Sequence, residues 1–314
     1  MNSQKLHIPV LLEPILNFIS DIEGPIKYGI DGTFGRGGHT VAFMQKFPEL
    51  KMVGFDHDQQ AIEYAHQNYK DSLDSNNLKL VHDNFANIDA HKNELNEFVN
   101  ESEQKKFDFI LLDLGVSSPQ LDEASRGFSF YHDGPLDMRM DQRLEETAAD
   151  IVNNYSEQEL IDIFKELGEV RRPYRIVKAI LHDRKQTPFT TTRQLSSMIE
   201  RVEGWRKKGM HPATLYFMGL RLAVNNELDV IRQSIPKMLD WLRPGGRLLI
   251  ISFHSLEDRI VKWAFKDLQN QGRIITKKVV QAEQQEIQQN SRSRSAKLRV
   301  FERGISGSEK GKKI

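Results

Sequence analysis

The run Asp31-Gly32-Thr33-Phe34-Gly35-Arg36-Gly37-Gly38-His39 sets glycines among side chains able to hold a polar ligand. Glycines at a strand-to-helix turn let the backbone approach a ligand closely and adopt positive φ. A helix starting there offers free N–H groups to an anion or a polar group. Asp56 closes the next apolar run, where a carboxylate can accept hydrogen bonds from both hydroxyls of a ribose. Such bonds to a charged group are worth about 1.5–3 kcal/mol each. A dinucleotide and a nucleoside-type methyl donor both satisfy these two features. Three details favour S-adenosylmethionine. The pattern is Asp-x-Thr-x-Gly-x-Gly, and Thr40 stands where Gly-x-Gly-x-x-Gly has its third glycine. Asp31 disfavours a pyrophosphate and tolerates an amino-acid ammonium. The turn Pro244-Gly245-Gly246, before a late strand and a terminal hairpin, is a common ending of methyltransferase sheets and has no counterpart reason in a dehydrogenase.

Further candidates follow the other apolar runs. Phe85, in His82-Asp83-Asn84-Phe85, either walls off an adenine ring or is plain core, and Asp83 or Asn84 could bond the adenine amine. Asp113 ends Phe-Asp-Phe-Ile-Leu-Leu-Asp and is followed by a small-residue turn. A carboxylate there could receive an amine nucleophile, the alternative being an ordinary turn or N-cap aspartate. Ser252-Phe253-His254-Ser255-Leu256-Glu257-Asp258 evokes a hydrolase triad, but sequence neighbours at a helix start do not form one and there is no Gly-x-Ser-x-Gly elbow. Ser255 is expected to cap a helix whose positive end Glu257 and Asp258 favour, while His254 faces the substrate. Asp56-His57-Asp58 alternates across a strand end, so no metal is expected.

The elements that must position these residues are short apolar runs alternating with helical periodicity. Residues 27–31, 51–56, 78–82 and 107–113 read as buried strands, and 38–47, 59–69 and 88–99 as helices. This alternation argues for a parallel sheet covered by helices on both faces. Residues 121–220 show helical patterns without a core strand. Residues 213–241 then read as one or two helices, 242–246 as a turn, 247–253 as a strand and 257–268 as a helix. Residues 272–279 and 297–303 are expected to pair as a hairpin around an exposed or mobile Gln/Glu-rich stretch, 281–290. The expected fold is α/β, a Rossmann-like class I methyltransferase sheet formed by residues 1–120 and 221–314. Residues 121–220 form an inserted, mostly helical substrate-recognition domain.

Composition narrows the class. The 314 residues carry 44 basic and 44 acidic side chains and are 39% hydrophobic, which is ordinary for a globular protein with a core. No apolar run approaches the ~20 residues of a bilayer span, so no membrane partner is expected. Absence of cysteine excludes disulfides, thiolate metal sites and cysteine nucleophiles. The first sixteen residues lack a signal-peptide pattern, which makes a cytoplasmic setting the expectation. Basic residues cluster over 165–185 and 292–313, either as solvated faces or as phosphate-binding patches.

Taken together, the motifs resemble the ribosomal RNA small subunit methyltransferase H (MraW-type) family. The matching stretches are HIPVLL from His7, DGTFGRGGHT from Asp31 and DLGVSSPQLDEASRGFSFYHDGPLDMRMD from Asp113, followed by HPAT from His211 and LRLAVNNEL from Leu220. The last two are PGGRLLIISFHSLEDRIVK from Pro244 and RSRSAKLRV from Arg292. Departures are Gly168-Glu169-Val170-Arg171, where the family commonly has Gly-Glu-Glu-Lys/Arg, and Phe217-Met218-Gly219-Leu220-Arg221, where it has Phe-Gln-Ala-Leu-Arg. The resemblance implies S-adenosylmethionine-dependent N4-methylation of a P-site cytidine in 16S rRNA of the small (30S) ribosomal subunit. It implies cofactor contacts from Gly37, Gly38, His39, Asp56, Phe85, Asp113 and Gln120. Asp113 and His254 are the catalytic candidates, and Arg139, Arg292 and Arg294 the substrate candidates. A homodimer is left open. The rival readings are a nicotinamide-dependent oxidoreductase, a non-catalytic RNA-binding assembly factor and, closer at hand, a DNA amino-methylase.

Overall fold

A computed structural model describes residues 9–99, 107–204 and 211–304, so His7 and Ile8 of the first motif lie outside the described residues. The chain forms two compact units, Met1–Gly115 with Leu228–Ile314, and Val116–Glu227. The expected insertion, 121–220, falls inside the second unit, whose bounds extend a few residues further on each side.

The first unit is built on one sheet. Its strands are β1 (Tyr28–Asp31), β2 (Lys51–Phe55), β3 (Leu78–Val81), β4 (Phe107–Asp113), β5 (Leu242–Ser252), β6 (Gly272–Ile274), β7 (Val280–Gln281) and β8 (Lys297–Arg303). The order is β3-β2-β1-β4-β5-β8-β6, with β7 also paired to β8. β1 to β5 run parallel, and β8 is antiparallel to β5, β6 and β7. A parallel sheet covered on both faces needs apolar residues at successive positions, which accounts for the uninterrupted Phe-Ile-Leu-Leu of β4. Successive side chains alternate between faces. Ile110 and Leu112 pack with Ile30, Phe55 and Trp241 on one side, while Phe109 and Leu111 pack with Ile19, Phe43 and Met52 on the other. This is the α/β sheet expected of a class I methyltransferase.

Several local expectations need correction. Residues 242–246 are not a separate turn but part of β5, where Phe107 pairs with Leu242 and Phe109 already pairs with Arg247, leaving Arg243 to Gly246 bulged. Gly245 takes the positive φ of 80° that the bulge requires. Asp108 holds the bulge from β4, receiving Arg243 Nε at 2.5 Å and the Lys27 and Tyr28 amides at 2.7 and 2.8 Å. The Gln-rich stretch is largely exposed, as expected, and carries a helix, Gln284–Gln289, anchored where Glu286 Oε1 accepts the Leu11 amide at 2.7 Å. Residues 88–99 divide into a 3-10 helix, Phe85–His91, and an α-helix, Lys92–Val99.

The second unit is helical, with one isolated bridge, Pro135 to Thr191, among the described residues. Four helices begin with reciprocal capping boxes, Ser117 with Gln120, Thr147 with Asp150, Ser156 with Glu159 and Thr191 with Gln194. Each box satisfies two otherwise unpaired amides at a helix start. The helices close on Phe164, Ile176, Ile180, Leu195 and Leu220. The long irregular segment from 123 to 147 is held by buried Arg126, which donates to the carbonyls of Arg139 (3.1 Å) and Met140 (3.0 Å). Asn225 adds bonds to Met138 O and from Met140 N, both 2.8 Å.

Candidate active site

The chain leaves β1 outward to β2 and β3 and returns on the other side of β1 to form β4. In open α/β sheets ligands gather at the carboxyl ends of the strands beside such a switch point. Here the two strand ends are tied together. Gly32 N donates to Leu111 O (2.9 Å), and the Asp113 amide donates to Thr33 Oγ1 (2.7 Å). Asp31 is buried beneath the loop, accepting Thr40 Oγ1 at 2.7 Å and the Thr33 amide at 3.2 Å. Burial pushes its carboxyl up to about 6, against the opposing pull of those hydrogen bonds.

Gly37 ends the loop with φ of 72° as the N-cap of the helix Gly38–Lys46. A Cβ there would lie 2.7 Å from the Phe34 ring and 2.8 Å from that of Tyr69, so both conformation and space demand glycine. His39, in the first turn of that helix, is buried and shares a Nε2···O hydrogen bond of 2.9 Å with Val10 O. A carbonyl can only accept, so Nε2 carries the proton and Nδ1 faces the Asp113 carboxyl, 3.7 Å from Oδ2.

Asp113 is strongly perturbed. Its side chain keeps 23% of its accessible surface, yet Oδ1 is buried without a hydrogen-bond partner. Burial, reinforced by the nearby Asp31 and Glu257 carboxyls, pushes it up to about 8. Asp56, at the end of β2, accepts the Gly35 amide (2.7 Å) and the Asp58 amide (2.8 Å), so it shapes the glycine loop directly. Burial raises its pKa while His57 opposes the rise.

Phe85 is buried in the core cluster with Ile30 and Leu112 and borders the loop, its Cβ lying 3.2 Å from where a Cβ on Gly32 would stand. Asp83 is engaged by His91 Nε2 (2.9 Å) and Asn87 Nδ2 (2.8 Å), and these bonds outweigh burial to hold its carboxyl below the usual range. His254 is the N-cap of the helix Ser255–Asp267, which corrects the expectation that Ser255 caps it. Glu257, fully buried, makes the cap from the other side by accepting the Phe253 and His254 amides at 2.8 and 3.3 Å. His254 Nε2 lies 3.0 Å from Glu257 Oε1, and Nδ1 is buried without a hydrogen-bond partner.

The remaining candidates are described within their own units. Gln120 belongs to the second unit and spends its carbonyl on the Ser117 amide (2.9 Å). Arg139, also there, is held by Asp137 through Nε and Nη2, both at 2.8 Å, and donates to Leu144 O at 2.6 Å. Arg292 and Arg294 are exposed on a 3-10 turn, Ser291–Ser295, of the first unit. Sequence reading passed over Thr33 as the tie between β1 and β4, Val10 as the partner of His39, and Glu257 as a capping base. Only the last had a local signal, its position three residues after the N-cap.

The site fits a cationic nucleoside better than a pyrophosphate. Buried Asp31 and partly buried Asp56 and Asp113 concentrate carboxyl groups at the glycine loop and the end of β4, with buried Glu257 near Asp113, and one Asp113 oxygen lacks a hydrogen-bond partner. Among the described residues no group of three or more His, Asp and Glu is arranged to hold a metal ion.

Comparison with known proteins identifies the family. The profile of the MraW methylase family matches residues 4–304. A ribosomal RNA small subunit methyltransferase H of Bdellovibrio bacteriovorus is 52% identical over 298 residues, covering 95% of this chain and 88% of the relative. Proteins of the same name from Halothermothrix orenii and a Picosynechococcus species are each 43% identical, covering 95% and 96% of this chain and 98% of each relative. Among solved structures, a putative methyltransferase from Streptococcus mutans in complex with SAH is 14% identical with a TM-score of 0.44, over 95% of this chain and 99% of that one. The methyl donor of the matched methylase family is S-adenosylmethionine, the ligand that the carboxyl-rich loop fits. With a family-wide match over nearly its whole length and relatives at this identity, the chain belongs to the MraW methylase family.

Proposed function

We propose that this chain methylates the N4 amine of a P-site cytidine in 16S rRNA, within the small (30S) ribosomal subunit and in the cytoplasm. The observation that carries the reading is the Asp113 carboxyl at the end of β4, with one buried oxygen lacking a partner and the other facing His39. Ribosomal RNA as the substrate draws support from the relatives, which are named as methyltransferases of the small-subunit rRNA.

S-adenosylmethionine, when bound, supplies an electrophilic methyl group. Gly37, Gly38, His39, Asp56, Phe85, Asp113 and Gln120 are the residues assigned to hold it, with Asp56 accepting from the ribose hydroxyls and Phe85 walling the adenine. The cytosine N4 lone pair is delocalised into the ring and is a weak nucleophile. The protein therefore contributes chiefly by orientation, which in intramolecular analogues reaches roughly 7–11 kcal/mol. Asp113 accepts a hydrogen bond from the amine, aligns its lone pair and then takes its proton. His254 is the second candidate for that proton. The base must be unstacked to reach the site, and this costs less in single-stranded or looped RNA.

The helical unit, Val116–Glu227, recognises the substrate, and Arg292 and Arg294 contact phosphates or bases. Arg139 serves through the loop it holds, because its guanidinium is already engaged by Asp137.

The test is to incubate the protein with labelled S-adenosylmethionine and small ribosomal subunits and to analyse the digested rRNA by mass spectrometry. Label in N4-methylcytidine at the P site is expected. Label on another base, or none, overturns the reading.

A further inference from the structure

The helical unit uses most of its arginines internally. Arg139 pairs with Asp137, Arg143 with Asp141, Arg201 with Asp183 and Arg221 with Glu227. Arg126 and Arg184 are spent on backbone carbonyls, the latter on those of Val152 and Tyr155 at 2.9 and 2.8 Å. Arg171, Arg172, Arg175, Lys178 and Lys185 differ from all of these. They are exposed, and none of their side chains has a hydrogen bond or ion pair to any described residue. All five lie on, just before or just after one helix, Tyr174–Asp183. Its single carboxylate, Asp183, is taken by Arg201 (2.6 Å) and His182 (3.0 Å).

The helix is strongly two-sided. Ile176, Val177 and Ile180 are buried, while Tyr174, Arg175, Lys178 and His182 share the opposite, exposed side at helical spacing. Tyr174 is 45% exposed in the middle of these cations. Its hydroxyl accepts Lys165 Nζ at 2.7 Å, and that ammonium lies 4.7 Å from the ring centroid. Solvated surfaces ordinarily intersperse both signs of charge. A face of one sign, with an aromatic ring set into it, is instead the combination that tracks a single-stranded nucleic-acid backbone and stacks its bases.

We propose that this face is an RNA-backbone clamp, with Arg171, Arg172, Arg175, Lys178 and Lys185 neutralising successive phosphates and Tyr174 stacking an unpaired base. The proposal rests on the RNA substrate proposed above and adds where the helical unit grips it. Such contacts release counterions, so log affinity falls with log salt by about 0.7–0.9 per phosphate contacted.

The test replaces Arg171, Arg172, Arg175 and Lys178 together by glutamine, makes Tyr174→Ala separately, and makes a control with Lys46, Lys70, Lys92 and Lys262 changed to glutamine. Binding of full-length protein to small subunits and to a single-stranded 16S rRNA fragment is followed against salt, alongside S-adenosylmethionine affinity and thermal unfolding. In the fourfold variant RNA affinity is expected to fall roughly fivefold per lost contact at 0.1 M salt, and the salt slope to shrink by about 3. Donor affinity and melting are unchanged. Tyr174→Ala lowers RNA affinity about tenfold without changing the slope. The control variant retains the wild-type slope. A wild-type slope in the fourfold variant or an equal loss in the control overturns the clamp. If the wild-type protein binds the donor yet neither binds nor methylates RNA, the proposed function falls and the clamp with it. If wild type methylates and the fourfold variant equals it, only the clamp falls.

Discussion

His39 Nδ1 lies 3.7 Å from Asp113 Oδ2, while the other ring nitrogen of His39 is tied to Val10 O at 2.9 Å. The main chain before the first helix thus fixes which nitrogen faces the carboxyl at the end of β4. Nε2 donates to the Val10 carbonyl, so it is Nδ1 that faces Asp113. The carboxyl, pushed up to about 8, retains its own proton at neutral pH. An amine arriving at this site meets a group whose readiness to accept a proton grows with pH.

The rate of methyl transfer at saturating donor and RNA is expected to rise with pH and level off above about 8. Asp113→Asn should abolish this dependence and lower the rate by roughly 10²–10⁴-fold, the usual range for a positioned acid–base group. Single-turnover kinetics between pH 6 and 9 decide it, and a flat wild-type profile would remove Asp113 from the proton path.

Stability responds to the same carboxyl with a definite sign. Its folded pKa lies above the ordinary 3.8, so the folded state binds more protons and the protein loses stability as pH rises from about 4 through about 8. Asp113→Asn removes that loss. The variant should melt above wild type at pH 8.5, by an amount on the order of a few kcal/mol at most, and match it near pH 4. Calorimetric melts at the two values test the sign.

Asp56→Ala is expected to abolish binding of S-adenosylmethionine and also to loosen the loop, since Asp56 receives the Gly35 and Asp58 amides. Asp56→Asn keeps an acceptor for one amide and should fold normally while binding the donor at least tenfold more weakly, given about 1.5–3 kcal/mol per hydrogen bond to a charge. Titration calorimetry showing wild-type affinity in either variant would misplace the pocket.

Gly37→Ala meets both a positive φ and the rings of Phe34 and Tyr69. A loss of about 1–3 kcal/mol in stability is expected. Donor affinity should drop even in the fraction that folds, because the helix Gly38–Lys46 can no longer begin at the loop. Urea unfolding and calorimetry on the same preparation separate the two effects.

Arg126→Met should destabilise the helical unit by roughly 3 kcal/mol, since it leaves the carbonyls of Arg139 and Met140 without their buried donor. Because Arg126 is not among the residues assigned to the donor and most of those lie in the other unit, donor binding is expected to persist in the folded fraction. Limited proteolysis should cut first within residues 123–147, and an unchanged digestion pattern would contradict this role.

Much of the molecule was legible from local pattern. β1 to β4 follow from short, mainly apolar runs, and helices of the second unit begin at Ser/Thr-x-x-Glu/Gln/Asp boxes at Ser117, Thr147, Ser156 and Thr191. The glycine loop and the acids at strand ends were equally visible, because residue type and spacing along the chain carry that information. Chain-local signals misled where distant partners intervened. Residues 242–246 look like a turn until Asp108, on another strand, holds them as a bulge, and residues 281–290 look like a loop until Glu286 meets the Leu11 amide.

The amino-acid order by itself determined the α/β class and the helical insertion and marked the residues proposed to bind a nucleoside, since these depend on periodicity and on side-chain chemistry. Tertiary structure alone decided the pairing of His39 with Asp113, the tie from Thr33 to the Asp113 amide and which arginines of the helical unit stay unpaired. The reason is that a buried group's charge state and orientation are set by neighbours brought from remote parts of the chain, through desolvation and hydrogen bonding that no linear spacing encodes.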